Sequence, residues 1–473
     1  MKPTYEQLEK KLALTEEKLA VAEEKIDQLS EMLKKALCKI SELEEKLKLN
    51  SNNSSKPPST DQKGSTPDRN KKKRSSRKGK SRDPFPKDRV DKQVICERKS
   101  CACCGSENLK LLSGLAEVLQ QVELPVVRAI VTEYILHKYK CSSCGERSTA
   151  DLPAGVPNTV FGPSVMALFS TLTGVFHLAK REALQLIKEL YDVDISLGSS
   201  SNIEERVAGA LDSVCDRIHR FILDGPLCKH CDETGWRTDG KRRYIWVLSC
   251  EKAAYYQVDQ SRSRAAFERM IGKPTHELNR VITDRYGVYG VIHDMHQHCL
   301  AHLIRDFKRY ADREGADGPI GEALAKELAK ACKNHGEYRD GNITKRQRNL
   351  RLAHAKRRLE YGLDDGFANG SDDLSSLCDN IINNFHKLWT FTKVEGMEPT
   401  NNLAERDLRK LVIWRRKSYG TRGDRGERFV ARITTVAETL KRHGMSVLRY
   451  IEKVIRCVYR GEAPPQINPA LGF

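Results

Sequence analysis

Three acidic residues stand at positions from which they could act together on one substrate. Asp232 lies in the stretch 227–236, which predicts a short strand that ends at this carboxylate, just before a hairpin. Asp284 directly follows a second strand-like run, 280–283, and Glu405 lies in a helical pattern. Carboxylates are ligands that magnesium prefers, and two magnesium ions about 3.5–4 Å apart can activate a water or hydroxyl group and neutralise a phosphodiester. The three acids therefore point to two-metal phosphoryl transfer.

The elements around these acids predict a mixed sheet. Two runs, 243–249 and 253–258, are rich in the aromatic and β-branched residues that strands favour, and they would follow the first strand as a hairpin. A strand, a hairpin, a helix and a further strand, with an acid at the tips of the first and last strands, is the order of a ribonuclease-H-like sheet. The third acid should then come from a helix packed on the sheet, and Glu405 is the best candidate.

Two neighbouring acids are alternatives. Asp294 follows another strand-like run, 290–293, and could replace Asp284 as the second acid. Glu233 is adjacent to Asp232, but successive side chains of a strand point to opposite faces, so it would face away if the strand continued through it. Most Asp and Glu residues of a protein are surface charges. The assignment of these three acids therefore depends on their predicted positions, two at strand ends and one on a helix.

A cysteine and a histidine between the second and third acids form a further candidate pair. Cys299 and His302 are one turn apart on a predicted amphipathic helix and face the same way. They could orient active-site groups or bind a metal. The alternative is a helix that packs a small thiol and a buried imidazole. Cys228 and Cys231 form a lone Cys-x-x-Cys, for which strand packing is the expected role.

Two cysteine pairs predict a structural zinc site. The chain has 15 cysteines, an odd number that indicates thiol and metal usage rather than a disulfide framework. Two Cys-x-x-Cys pairs are each followed by a glycine, which lets backbone amides turn toward the thiolates. Four thiolates suit tetrahedral zinc. The run 129–139 predicts a strand that leads into the second pair, as in a zinc ribbon, and Cys103 could replace Cys101. The predicted ligands are Cys101, Cys104, Cys141 and Cys144.

The charge of the chain favours a polyanionic partner. Lys and Arg number 82 against 64 Asp and Glu, a net charge of +18 over 473 residues. Such an excess favours nucleic acid, although solvated basic faces would give the same composition. Arg409 lies one helical turn after Glu405, so an ion pair between the two is the alternative to a phosphate-binding role for Arg409. The candidate phosphate-binding residues are Lys71, Lys72, Lys73, Arg74, Arg409, Arg415, Arg416 and Lys417.

The N-terminal region predicts a coiled coil followed by a linker. Two sevenfold series of mostly apolar residues, one from Leu12 to Leu47 and one from Leu8 to Leu43, alternate in steps of four and three. An apolar seam of this length predicts self-association, although a single helix could also fold back on its own protein. Residues 50–92 are rich in Ser, Asn, Pro and Lys and predict a flexible basic tether.

Helical patterns fill most of the remaining sequence. Within 161–223, a first helix at 181–191, a turn at 193–196 and a second helix at 199–211 predict a helix-turn-helix, which is also the pattern of a plain helical hairpin. Ser199, Ser200 or Ser201 would cap the second helix. Residues 315–379 predict a charged helical insertion before Glu405.

The sequence contains no candidate membrane segment. No apolar stretch reaches the length of about 18 residues that a spanning helix needs, and the N-terminus is a charged heptad pattern rather than a signal peptide. A cytoplasmic protein is therefore expected, and association with the nucleoid would follow only from DNA binding.

Motifs along nearly the whole chain occur together. They are the coiled coil, Asn53–Ser59, the zinc knuckles, Asp232–Thr234, Thr283–Tyr286, Cys299–His302, Glu398–Arg406 and the helical tail 435–455. Taken together, these residues resemble the transposases of the insertion sequence 66 family. The first knuckle differs from the common family pattern in having Ala102 and a Gly105-Ser106 pair, neither of which disturbs the ligands.

The resemblance implies a function. The family implies a bacterial DDE-type transposase with a ribonuclease-H-like core, acting on the terminal inverted repeats of its element with two small accessory proteins. By this resemblance Asp232, Asp284 and Glu405 form the acidic triad, with two magnesium or manganese ions and a structural zinc as cofactors. Two alternatives are a non-catalytic DNA-binding or assembly protein with a relic core, and a ribonuclease-H-like nuclease that cuts without joining.

The expected fold is a multidomain α/β chain. Its predicted parts are a coiled coil at 1–49, the linker at 50–92, a zinc-binding domain at 93–150, a helical domain at 151–225 that is a candidate for DNA binding, the catalytic core at 226–430 with its insertion at about 315–379, and a helical tail at 431–473.

Overall fold

The computed structural model describes residues 21–33, 83–112, 118–272 and 277–473, with scattered positions between 15 and 47. Residues 21–33 form an exposed helix. A coiled-coil helix without its partner would be exposed in this way, and self-association stays a prediction. The basic run Lys71–Arg74 lies outside the described residues. No described helix has the length and apolar character needed to cross a membrane.

The described chain combines strands and helices in one mixed architecture. The strands are β1 Lys138–Lys140, β2 Arg147–Thr149, β3 Lys229–Thr238, β4 Lys241–Ser249, β5 Ala254–Asp259, β6 Val281–Thr283 and β7 His296–His298. The α-helices are α1 Pro163–Gly174, α2 Lys180–Tyr191, α3 Leu197–Ala210, α4 Asp212–Asp224, α5 Arg264–Ile271, α6 Leu300–Ala311, α7 Asp317–Arg339, α8 Lys345–Asn369, α9 Asp372–Asn383, α10 Asn402–Ser418, α11 Asp424–Arg442 and α12 Val447–Tyr459.

A five-stranded sheet in the order β5-β4-β3-β6-β7 is the centre of the fold. The first three strands are antiparallel, and β6 and β7 run parallel to β3. The β3–β4 hairpin turns over two residues, Asp239 at φ 51° and Gly240 at φ 72°. Both angles are positive, as the tight turns that match strand twist require, and Asp-Gly is a preferred pair there.

Helix α11 covers the free edge of β5. The hydroxyl oxygens of Thr435 and Thr439 accept hydrogen bonds from the backbone nitrogens of Tyr256 at 3.0 Å and Ala254 at 3.2 Å. The two threonines are one helical turn apart and therefore lie on the same face of α11. They satisfy donors of the edge strand that would otherwise be open to pairing with another chain.

The described residues form two hydrophobic cores. The larger lies between the sheet, the helices α1–α4 and the C-terminal helices, so the segments 151–225 and 431–473 share one core with the strands. The smaller core belongs to α6–α9 and the turns after them, which agrees with the predicted helical insertion. The helices of the insertion therefore stabilise one another rather than simply covering the sheet.

Several predicted elements differ from the observed ones. The strand predicted at 129–139 pairs only over Lys138–Lys140, because the residues before it meet no neighbouring strand in the described chain. The strand predicted at 290–293 is wrong: Gly287–Val291 forms a 3-10 helix that buries its apolar side chains in a turn. The helices predicted at 181–191 and 199–211 are confirmed as α2 and α3. The predicted cap at Ser199, Ser200 or Ser201 is wrong: α3 begins two residues earlier, and Ser196 caps it by accepting a hydrogen bond from the Ser199 nitrogen at 3.1 Å.

Replacing Gly321 by alanine should destabilise the insertion. An added Cβ would lie 2.6 Å from the backbone nitrogen of Ala311 and 2.7 Å from the carbonyl oxygen of Phe307. Since both are backbone atoms, relief requires a shift of the α6 end, and overpacking of this kind costs about 1–3 kcal/mol. We expect the free energy of unfolding in urea to fall by that amount. Gly336→Ala in the same helix is the matched control, since its Cβ would meet nothing within 4 Å, and equal losses in both variants would contradict the close contact.

The stability of the fold should fall in mild acid because of His177. Its ring stacks on Trp414 with centroids 4.6 Å apart, and burial, followed by the charge of Lys441, lowers the pKa of His177 to about 4. The unfolded chain therefore takes up this proton first, so stability is lost as the pH falls from about 6.5 toward about 4. We expect His177→Gln to reduce the loss of unfolding free energy between pH 7 and pH 5 by roughly 1–2 kcal/mol. The exposed His354 provides the control, His354→Gln, whose pH profile should match that of the unmodified chain.

Candidate active site

Asp232 and Asp284 lie side by side where the parallel part of the sheet ends. Pairing of β3 with β6 joins Lys229 to Val281 and His230 to Ile282, and the same register two residues on places Asp232 opposite Asp284. The prediction that Asp232 ends its strand was wrong. Strand β3 continues to Thr238 because its other edge stays paired with β4, so Asp232 is in mid-strand. The strand that ends at an acid is the shorter neighbour, β6, whose last residue directly precedes Asp284.

Asp232 faces the helix that carries Glu405. His230 and Trp236, which share its face of β3 by strand alternation, both contact residues at the ends of α10. The His230 Nδ1 is 3.1 Å from the Asn401 Oδ1, and the Trp236 and Trp414 rings are 6.3 Å apart in an edge-to-face arrangement. The third acid is thus brought toward the first by contacts on either side of it.

Burial and neighbouring charges define the electrostatics of the two aspartates. Burial raises the pKa of Asp232 well above its usual value, with further contributions from Glu233, Asp284 and Glu405. Burial likewise raises the pKa of Asp284, while the charges of Arg262 and Arg285 oppose that shift. Each accepts one backbone hydrogen bond, from the nitrogens of Glu233 and Tyr286, and neither has an ion-pair partner among the residues that the structure describes. Hard cations fit such a pair, because their charge would offset the repulsion of the oxygens that bind them.

Glu405 reaches the site with its own cationic partner. Its Oε1 is 3.1 Å from the Arg305 Nη2 and 3.6 Å from the His302 Nδ1. The ion pair with Arg409 expected from helical spacing is not formed in the described chain. Arg305 comes from α6, so the partner of this acid lies on another helix and was missed in the sequence.

Asn401 fixes the start of α10 to the sheet. The fully buried residue donates from Nδ2 to the Cys231 carbonyl at 2.8 Å, and its backbone nitrogen donates to the Cys299 sulfur at 3.1 Å. With the His230 contact, the Asn401 side chain joins α10 to β3, and its backbone nitrogen joins α10 to the start of α6. Sequence reasoning gave this residue no role, although two adjacent asparagines before a helix are a capping signal.

The neighbouring acids occupy other environments. The Glu233 side chain is fully buried on the opposite face of β3, where the Arg262 Nε and the Tyr289 hydroxyl donate to it. The Arg262 guanidinium in turn lies 4.0 Å from the centre of the Tyr286 ring. Asp294 is exposed in the loop before β7. The geometry therefore favours Asp284 over Asp294 as the neighbour of Asp232.

The two cysteine knuckles have matching backbone geometry. In each, the glycine after the second cysteine has a positive φ, 73° at Gly105 and 77° at Gly145, and its nitrogen donates to the carbonyl of the first cysteine. Hydrogen bonds from within each knuckle lower the pKa of Cys101 and of Cys141. Zinc binds thiolates, so this arrangement fits the ion. In the described chain, the thiols of the two knuckles are not gathered into one group of three or more within 4.8 Å.

The basic residues of α10 divide into two kinds. The Arg415 Nη1 donates to the carbonyl of Gly235, and Lys417 pairs with Glu182 at 3.3 Å, so both link α10 to neighbouring elements. Arg409 and Arg416 are exposed. These two keep their guanidinium groups in solvent, where phosphates could reach them.

Three family models match the chain. Residues 158–428, more than half of its length, match the transposase IS66 family, and residues 98–145 match the zinc-finger binding domain of transposase IS66. Residues 2–87 match a family of unknown function, DUF6444. No curated protein matches the chain. The first match contains all three candidate acids and the second contains all four predicted zinc ligands.

Replacing Asn401 by alanine should loosen the site. The change leaves the buried His230 imidazole and the Cys231 carbonyl without their partner, and each unsatisfied buried group costs about 1–3 kcal/mol. We expect the free energy of unfolding in urea to fall by about 2–4 kcal/mol. Asn402→Ala is the control, because Asn402 is exposed and should tolerate the change. A loss no larger in Asn401→Ala than in the control would show that the amide does not hold the two elements together.

Proposed function

The chain belongs to the IS66 family of transposases, and from this premise we propose that it is a DDE-type enzyme in which Asp232, Asp284 and Glu405 carry the chemistry. The observation that carries the proposal is the register of β3 and β6, which places two half-buried aspartates, neither of them in an ion pair within the described chain, side by side facing the helix of Glu405. The sheet order supports a ribonuclease-H-like core, with three antiparallel strands followed by two parallel ones.

The three acids would hold two divalent cations, magnesium or manganese. When bound, these ions supply Lewis acidity and lower the pKa of a coordinated water. Asp232, whose pKa is raised by burial and by the charges of both Asp284 and Glu405, would serve both ions, while Asp284 and Glu405 would each hold one. Arg305 orients the Glu405 carboxylate through one oxygen and leaves the other oxygen available for a ligand.

The proposed reaction has two in-line steps at one site. A water oxygen first bonds to the phosphorus at the element's end, and the 3′-oxygen leaves as a free hydroxyl. That hydroxyl then bonds to a phosphorus of target DNA, and the target's own 3′-oxygen leaves. Both steps exchange one phosphorus–oxygen bond for another, so neither a covalent protein intermediate nor a nucleotide cofactor is needed.

The DNA partner would be held by modules outside the acidic site. The zinc-finger domain and the net charge of +18 support DNA binding. Arg409 and Arg416 on α10 are proposed phosphate contacts beside the site, and the helix pair α2–α3 and the run Lys71–Arg74 are further candidates. Recognition of terminal inverted repeats, self-association through the coiled coil and two small accessory proteins belong to the same proposal.

Substituting each acid should abolish DNA cleavage. We expect Asp232→Asn, Asp284→Asn and Glu405→Gln to slow cleavage of labelled DNA carrying the element's own end by about 10³-fold or more, because each removes a ligand of an ion worth several kcal/mol. Reactions contain magnesium or manganese, with and without the accessory proteins. Asp294→Asn is the matched control and should cleave at the unmodified rate. Loss of cleavage in Asp294→Asn but not in Asp284→Asn would reverse the assignment.

The same assay separates the alternative functions. A pre-cut end tests strand joining alone, and cleavage without joining would indicate a nuclease. Specific retention of the end by the unmodified protein, with no cleavage in any tube, would indicate a DNA-binding or assembly protein with a relic core. Unchanged cleavage in all three acid variants, with folding intact, would exclude the proposed site.

A further inference from the structure

One cluster beside the proposed active site has the composition of a transition-metal site. The Cys299 sulfur, a His302 ring nitrogen and a Glu405 oxygen all lie within 4.8 Å of one another, and no other such group of three occurs among the described residues. A thiolate, an imidazole and a carboxylate are a zinc ligand set, whereas the neighbouring aspartates offer only hard oxygens. Three protein ligands would leave the fourth position of a tetrahedral ion open.

The backbone holds these three side chains in place. Cys299 is the N-cap residue of α6 and His302 lies in the first turn of that helix, while Glu405 lies in the first turn of α10. The starts of the two helices are joined, because the Leu300 nitrogen donates to the Pro399 carbonyl at 2.9 Å and the Asn401 nitrogen donates to the Cys299 sulfur at 3.1 Å. A site built on two fixed helix starts needs little rearrangement to accept an ion.

The His302 ring has an unused nitrogen that faces the cluster. Its Nδ1 is buried without a hydrogen-bond partner in the described chain. The nearest acidic oxygen, Glu405 Oε1, is 3.6 Å away, which is too far for a hydrogen bond. Buried nitrogens of this kind are normally satisfied, and a metal ion is one of the partners that would satisfy it.

We propose that Cys299, His302 and Glu405 form a second zinc site, distinct from the cysteine knuckles, and that zinc bound there inhibits the magnesium-dependent reaction. Binding replaces the thiol proton by the metal, and the proton goes to solvent. Inhibition follows because the Glu405 carboxylate would be a ligand of zinc and would then bind the catalytic cation less strongly. The zinc site depends only on the cluster, while the inhibition depends on the proposed function.

Zinc content tests the site without any reference to catalysis. The full-length protein is saturated with zinc, freed of loosely bound metal by gel filtration and analysed for zinc per chain. We expect two zinc ions in the unmodified protein and one in Cys299→Ser and in His302→Gln. Cys378→Ser is the matched control, since it replaces another buried cysteine, in α9, and should retain two. Cys101→Ser should also lose one ion, which identifies the knuckle site separately.

A second measurement tests the inhibition. DNA cleavage in magnesium is measured for each variant with and without zinc, so that each protein is its own reference. We expect zinc to slow the unmodified protein at least tenfold and to slow Cys299→Ser much less. One zinc per chain in the unmodified protein, or two in both Cys299→Ser and His302→Gln, would overturn the site. Equal inhibition of the unmodified protein and Cys299→Ser would overturn the regulatory role. If the protein cleaves no DNA, the zinc content of the variants still tests the zinc site.

Discussion

Two half-buried carboxylates with no ion-pair partner in the described chain are the constraint on which the rest of the structure depends. Asp232 lies in the middle of β3, which stays paired with β4 along its other edge. Asp284 directly follows the end of β6, and the register of β3 and β6 places it next to Asp232. Burial of such a pair costs free energy unless a cation or protons compensate it. The fold therefore holds two carboxylates in the arrangement that the proposed divalent cations would require.

The nearby acids show how selective that arrangement is. Glu233 is paired with Arg262, Asp306 with Arg285, and Asp407 with Arg442, each through an arginine on a different element. These acids use their charge to join elements. Glu405 stands between the two classes, since Arg305 holds one of its oxygens while His302 and Cys299 lie beside it. The residue is thus restrained in position by one oxygen while its surroundings offer other partners, and it belongs to both the proposed catalytic site and the proposed zinc site.

Asn401 and the insertion show how the site is kept together over a long chain. More than a hundred residues separate the sheet acids from Glu405, and most of them fold into α6–α9 with a core of their own. The insertion then returns the chain to the sheet at Asn401, whose amide bonds to β3 and whose backbone bonds to the start of α6. The interposed helices can therefore move little without displacing the third acid.

The local elements and the chemistry of their residues could be predicted from the amino-acid sequence. The hairpin strands, the paired knuckles and the helices of the insertion follow from periodicity, side-chain type and short spacing, which depend on neighbours along the chain. Which groups contact one another depends on tertiary packing. The polar strand β7, His296–His298, has no apolar pattern to reveal it, and Arg305, 100 residues before Glu405, replaces the expected Arg409 as its partner. Burial and pairing between distant residues decide such contacts, and no local pattern encodes them.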